Sequence, residues 1–346
     1  MFRTLIKVLV MVVAVFVVQF GSGTGVVYGL DHVRVGHLPV TGHAKFFIAK
    51  EYGLFEKEGI DAELIEFINS ADGLTALRAG KIDVGAFGTT APLVHIAQGA
   101  DLRIIAGIMG EDAAIITTPE NAPKIKSLAD LKGKKVATVR LATGDAVLRG
   151  ALEKEGINWK TDLQIFELKS PPAVAEAVKS GQVDAGVTWG PHDLTAENNG
   201  LVVVIRSRSL SPGHPCCRLV ATEDEIKSHR DTLVRFVKAL LLAEKFATEH
   251  HQETVDAIVK YVKLDKELIR KAYYEGFLDQ STDPNKDGVK NFWHTMQASE
   301  FVTSQADISS FVDTGIYDAA LTSLAKENPQ DPYWKDLQKV FAQRNG

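Results

Sequence analysis

Ten residues constrain this chain more than any other stretch, because they occur twice. Residues 76–85 read ALRAGKIDVG and residues 177–186 read AVKSGQVDAG. Ala, Gly, Asp and Gly recur at the same four offsets, and five of the other six positions hold near-equivalents. The copies begin 101 residues apart, far beyond the roughly 20–50 residues of a stacked solenoid repeat. A phrase written twice at that distance marks two related lobes rather than an array.

Each copy has the same local syntax. Leu74 and Leu77 lie on a helix that Gly80 stops, since glycine takes the left-handed C-terminal cap cheaply. Residues 82–87 then read as a buried strand, Gly88-Thr89-Thr90 ends it, and Pro92 falls in the first turn of the next helix. In the second copy Gly181 is the stop, 183–188 the strand, and Trp189-Gly190-Pro191-His192 the sequel. Asp83 and Asp184 sit where a carboxylate ties a turn at the strand start, a structural role and not a catalytic one.

The rest of the chain to about residue 223 continues this alternation. Strands are expected at 32–37, 62–67, 102–108, 114–118, 135–139, 163–167 and 201–205, with a helix at 44–52 and another opening at 127. Beyond 223 come six helical stretches and no strong strand: 226–250, 252–262, 266–276, 289–300, 317–327 and 334–344. The pattern is an α/β protein of two similar lobes with a helical C-terminal tail. A length of 346 residues fits about two domains. The net charge of −5 and the scattered Lys and Arg exclude a basic stripe, and with it nucleic-acid binding.

The N-terminus reads as a secretory signal: Arg3 and Lys7, an apolar run over 8–18, then the Gly/Ser-rich 21–25. That run is shorter than the about 20 residues of a spanning helix. Cleavage is expected after Gly29 or earlier, near Gly23; with the first, residues 1–29 are the signal peptide, and the mature protein is exported to the periplasm. The two cysteines, Cys216 and Cys217, are adjacent and cannot close a loop.

Further phrases resemble a known family. They are Gly36-x-x-Pro39, the run IAKEYGLFEKEGI over 48–60, Ala76-Leu77-x-x-Gly80-x-Ile82-Asp83-x-Gly85, and Leu128-x-x-Leu131-Lys132-Gly133-Lys134-Lys135-Val136. Together they look like the nitrate/sulfonate/taurine-type solute-binding proteins of ABC importers, whose superfamily includes binders of thiamine-pyrimidine precursors. The resemblance implies a two-lobed, type II periplasmic-binding-protein-like fold, each lobe a mixed sheet flanked by helices. It places chain crossovers near 108–118 and 217–222, lobe 1 at 30–112 and 219–346, and lobe 2 at 113–218. It implies a monomer without cofactor or catalytic residues, whose partners are a small-molecule solute and an ABC permease in the inner membrane.

In open α/β sheets ligands sit beyond the carboxyl ends of the strands. That rule selects Thr41 and His43, then Gly88, Thr89 and Thr90, then Arg140, Thr143, Gly144 and Asp145, and finally Trp189 and His192. Helix N-termini carry unpaired N–H groups and partial positive charge, so Thr89, Thr90 and Thr143 suit an anion or polar head group. Simple helix capping is the other reading of these threonines, and both can hold. Asp145, and Glu111-Asp112 at the first crossover, would repel a bare anion, which Arg140 offsets or, facing solvent, does not. Trp189 and His192 suit a flat or heteroaromatic solute.

His214, Cys216 and Cys217 stand at the second crossover. Four readings stay open there: cleft lining by His214 and Cys216, a copper or zinc site on all three, a strained vicinal disulfide, or small buried residues entering a strand. The loop 284–288 has the wording of a calcium site but not its ligand spacing. No G-x-S-x-G, H-E-x-x-H or Walker loop is present. A thiamine-pyrimidine-type enzyme is intracellular and conflicts with the export signal. A ligand-sensing partner of a membrane receptor would carry the same sequence.

Overall fold

The computed structural model describes residues 29–276 and 278–346; the signal reading of residues 1–28 lies outside them. Ten strands follow in chain order: β1 (Asp31–His37), β2 (Ile60–Glu66), β3 (Val84–Gly88), β4 (Leu102–Gly110), β5 (Ala114–Thr117), β6 (Lys135–Val139), β7 (Gln164–Leu168), β8 (Ala185–Thr188), β9 (Val202–Arg206) and β10 (Pro215–Thr222). They form two five-stranded sheets, ordered β2-β1-β3-β10-β4 and β7-β6-β8-β5-β9. The orders correspond strand for strand. In each sheet one strand runs antiparallel to both neighbours, β10 in the first and β5 in the second. Each of those strands has just crossed from the other sheet.

The helices between the strands are α1 (Ala44–Glu51), α2 (Leu54–Lys57), α3 (Ser70–Arg78), α4 (Thr90–Ala97), α5 (Thr143–Lys154), α6 (Pro171–Lys179), α7 (His192–Asn198) and α8 (Ser207–Leu210). The tail adds α9 (Glu223–Glu249), α10 (His251–Ile258), α11 (Lys266–Arg270), α12 (Lys286–Ala298), α13 (Thr314–Glu327) and α14 (Pro332–Arg344). The segment expected to be helical from 127 is a short 3-10 turn, Leu128–Leu131, closed by a reciprocal Ser127/Asp130 capping box.

The repeated phrase builds the same joint twice. Gly80 and Gly181 adopt φ of +66° and +72° after α3 and α6, the left-handed stop that only glycine takes without strain. Asp83 Oδ2 accepts the Arg34 N–H at 2.7 Å, and Asp184 Oδ2 accepts the Lys135 N–H at 2.8 Å. The Asp83 and Asp184 N–H groups in turn donate to the carbonyls of Arg34 and Lys135. Each aspartate therefore clamps its strand to the preceding parallel strand and fixes the register Gly36↔Gly85 or Ala137↔Gly186. A Cβ on Gly186 would lie 2.4 Å from Val174 Cγ1, so α6 packs directly on that strand.

Strand alternation loads both faces of the second sheet. Ile115 belongs to one apolar cluster, with Leu148, Leu152 and Val187, and its neighbour Ile116 to another, with Val139, Val174 and Val178. In the first lobe α9 packs on α1, α13 and β4. Phe236 stacks on Phe55 at 5.0 Å, and Phe47 on Tyr261 at 4.4 Å. A fully buried phenylalanine such as Phe236 contributes on the order of 2 kcal/mol. The tail also reaches the second lobe: Trp159 Nε1–H donates to the Ser299 carbonyl at 2.8 Å.

Candidate functional site

β3 delivers Gly88 and Thr89 to the gap between the lobes, and β6 delivers Thr143 from the opposite side. Between them runs β10, whose Cys216 carbonyl accepts three hydrogen bonds. Thr89 donates two, from N–H at 2.7 Å and from Oγ1–H at 3.0 Å. Thr143 Oγ1–H donates the third, at 2.8 Å. Thr89 immediately precedes α4 and Thr143 opens α5, so one oxygen sits where the starts of two helices, one per lobe, converge. The partial positive charge of both termini and their unpaired N–H groups favour an oxygen acceptor there.

The surrounding cavity is lined by backbone and small groups near that oxygen. Ser70 opens α3, and its Oγ accepts the Gly88 N–H at 3.0 Å. A Cβ on Gly88 would stand 3.1 Å from Thr143 Oγ1, so the lobes meet closely at this point. Leu38, Met109 and Trp189 supply apolar walls, and Cys216 and Cys217 complete one side. The free volume is about 20 Å³, room for about one water. With the lobes placed as they are, the space is too small for a small organic molecule.

Asp112, on the link from β4 to β5, is the one carboxyl on this wall. Its Oδ1 accepts the Gly190 N–H at 2.9 Å, and its buried Oδ2 has no hydrogen-bond partner among the described residues. Burial, with the Asp193 charge adding to it, pushes its pKa up to about 8, so the group is neutral at pH 7.

Of the residues selected from sequence, Gly88, Thr143, Gly144, Trp189 and Cys216 line this cavity, and Thr89 reaches it through the Cys216 carbonyl. The others lie elsewhere. Thr41 and His43 form a buried 3-10 turn against Met109. His43 Nδ1 accepts the Leu38 N–H at 3.1 Å, which leaves its proton on Nε2, and burial keeps the ring neutral. Thr90 is buried beneath the start of α4. Arg140 is exposed. His192 packs edge-on to Trp189, 6.3 Å between rings, and burial lowers its pKa to about 4.

Two acidic expectations are corrected. Asp145 does not confront the cleft as a free charge: both its oxygens accept from Arg149 at 2.9 Å, one turn along α5. Arg149 also binds Glu167 at 2.8 Å and lies over the Trp159 ring at 4.3 Å. Burial raises the Asp145 pKa to about 6 against the pull of Arg149. Glu111, with φ +59°, turns away to bind the Gly213 N–H at 2.6 Å and Arg208 at 2.7 Å, and so stitches the two crossovers together.

The metal and disulfide readings of His214, Cys216 and Cys217 are not favoured. Both thiols are free and buried. His214 Nδ1 is held on the Ser211 carbonyl at 2.7 Å. Among the described residues no three His, Cys, Asp or Glu side chains converge to hold an ion, and two adjacent cysteines cannot supply a tetrahedral set alone. Two of the four readings hold together: Cys216 and Cys217 lie in the buried start of β10, and both line the cavity, whereas His214 does not. The calcium wording at 284–288 is a helix cap: Asn285 Oδ1 accepts the Gly288 N–H at 3.0 Å.

Residues 29–263 match the model of the NMT1-like family. The chain belongs to the NMT1-like family. It is 30% identical over 278 residues to a candidate binding protein of Brucella abortus, covering 78% of this chain and 85% of that one. It is 30% identical over 272 residues to a candidate aliphatic sulfonates-binding protein of Bacillus subtilis, covering 76% and 80%. Its fold is similar to that of the periplasmic nitrate-binding protein NrtA from Synechocystis, with a TM-score of 0.74 at 17% identity, covering 88% and 92%. These relatives are named as binding proteins rather than enzymes, and the fold is that of the periplasmic binding proteins.

In this NMT1-like chain the cavity holds residues that the strand-end rule did not select: Leu38, Ser70, Met109 and Asp112. Ser70 was within its reach. It follows the end of β2, whose sequel leads straight to α3. Met109 and Asp112 carry no such local signal, because they flank the bend where the chain leaves the first sheet.

Proposed function

We propose that this chain is the exported solute-binding component of an ABC import system. Its two lobes close on a small solute bearing an oxyanion head, which it delivers to a permease in the inner membrane without altering it. The observation that carries this reading is the Cys216 carbonyl, an oxygen receiving donors from the start of one helix in each lobe. With the lobes parted, Thr143 Oγ1–H and the N–H groups at the start of α5 are freed for a solute oxygen, while Thr89 stays bonded to Cys216 within the first sheet. Contact with both lobes then favours the closed population. The relatives named for aliphatic sulfonates and nitrate support an oxyanion, and the signal-like N-terminus supports export to the periplasm. The protein acts in this scheme as a monomer.

The test is a thermal-shift panel of sulfonates, nitrate, carboxylates and pyrimidines on the mature protein, followed by titration calorimetry of whatever stabilises it. A solute at a hundred times its Kd adds about 2.7 kcal/mol, a shift of several degrees. Thr143→Val should weaken that solute about tenfold, the equivalent of one hydrogen bond to a charged group. Turnover of a solute by the protein, with stabilisation by none, would remove the binding-protein reading.

A further inference from the structure

The lobes also touch outside the cleft. The end of α12 and the turn after it, residues 295–301, are anchored in the first lobe's core through Trp293, Met296 and Val302. They lie against α5 and the loop that follows it in the second lobe. α5 itself is shared: Ala146 and Val147 belong to the first lobe's core, and Leu148 and Leu152 to the second's. α12 comes so near that a Cβ on Gly150 would stand 2.1 Å from Thr295 Cγ2. Glycine in the middle of a helix weakens it, and here it is what lets α12 approach.

Polar and aromatic contacts cross the same seam. Trp159 Nε1–H donates to the Ser299 carbonyl at 2.8 Å. Glu300 takes a left-handed φ of +52°, which few residues other than glycine adopt, and its carboxylate binds Lys160. The Arg149 guanidinium lies between a ring from each lobe, 4.3 Å from Trp159 and 5.0 Å from Phe301.

None of these residues lines the cavity, but α5 joins them to it. Thr143, at the start of α5, donates to the Cys216 carbonyl across the gap. Gly150 lies about two turns, roughly 10 Å, further along the same helix. A packed helix moves as one body, so drawing Thr143 off that carbonyl also draws Arg149 and Gly150 along α12. We infer that residues 295–301 form a strap that holds the lobes together, so that solute affinity is set in part by residues that never touch the solute. This rests on the cleft being the solute site and on closure accompanying binding. Contacts made only with the lobes together raise the closed population, and a solute that needs that population binds tighter in proportion. Trp159, Lys160 and Glu300 are positioning residues in this sense, acting through α5 on where Thr143 stands.

Two measurements on the mature protein test this: small-angle X-ray scattering without solute, and calorimetry with ethanesulfonate or nitrate, whichever stabilises it. Trp159→Phe removes the donor to Ser299 and should weaken the probe about fivefold. Lys160→Glu sets two exposed carboxylates against each other and should weaken it about two- to fivefold. Its melting temperature should stay within about 3 °C of the wild type. Adding Glu300→Lys restores the pair with its charges exchanged and should return the Kd to within about twofold, a rescue that general damage to the fold would not allow. Weaker binding that the exchange rescues supports the strap, as does a radius of gyration that rises in Lys160→Glu and falls back in the exchanged protein. Unchanged affinity together with an unchanged radius overturns it. Tighter binding overturns it too, since the segment would then brace the open arrangement. If neither probe stabilises the wild type, that counts against the oxyanion reading alone, and the radius decides on the strap.

Discussion

Gly88→Ala separates a residue of the cleft from a residue of the core. The backbone at Gly88 lies in a region open to any residue, so alanine adds no conformational strain. Its Cβ would stand 3.1 Å from Thr143 Oγ1, 3.3 Å from Ser70 Oγ and 3.6 Å from the Thr143 nitrogen. The first two approaches are tighter than ordinary carbon–oxygen contacts, and each neighbour has to yield by a few tenths of an ångström. Ser70 belongs to the same lobe and can turn its hydroxyl. Thr143 belongs to the other lobe, and the cheapest relief is to part the lobes slightly. Overpacking of this kind costs about 1–2 kcal/mol, and here the cost falls on the closed state alone.

Gly88→Ala is therefore expected to weaken the solute about 5- to 30-fold. The solute-free protein should melt within about 2 °C of the wild type. Calorimetry with the stabilising solute and differential scanning fluorimetry without it read the two effects separately. Removing the opposing hydroxyl supplies a control: in a Thr143→Ala background Gly88→Ala should weaken binding little further, so the two effects are strongly non-additive. A drop of more than about 5 °C in the melting temperature with the solute Kd unchanged would refute the reasoning. Gly88 would then be a packing residue of the first lobe, and the contact between the lobes at Thr143 would have no bearing on closure.

Two further outcomes follow from the buried charges. Arg149→Met leaves the Asp145 carboxylate buried without its partner and should cost about 3–5 kcal/mol in urea unfolding; adding Asp145→Asn should recover much of that loss, and failure to recover it would mean that Arg149 acts mainly by packing on Trp159. Asp112, whose folded pKa is raised to about 8, binds its proton more tightly folded than unfolded. Its contribution to stability is full below about pH 4 and fades as pH rises to 8, by about 1.4 kcal/mol per pH unit. Asp112→Asn should flatten that slope relative to the wild type between pH 5 and 8 in thermal melts, and parallel profiles for the two proteins would show that the carboxyl does not titrate in this range.

What could be read from the chain alone was what neighbouring residues settle between themselves. A helix stop at Gly80 or Gly181, followed by a short apolar strand, needs only local preference, and both copies adopt it with nearly equal φ. Asp145 and Arg149 stand four apart on one helix and belonged to the same legible class; reading Asp145 as a strand-end residue hid the pair. Other features depend on where distant segments meet. Glu111 finds Arg208 97 positions away, and its neighbour Asp112 meets the Gly190 N–H 78 positions on. The same division separates frame from site. The repeated phrase sets two equivalent strands, while the residues after each copy differ: Gly88-Thr89 presents donors at a helix start, and Trp189-Gly190 presents an aromatic wall and the N–H that holds Asp112. Two equivalent lobes with equivalent linings would suit a symmetric ion such as nitrate as well as any other. Unequal linings on equivalent frames gain affinity only from a solute whose two ends are chemically different.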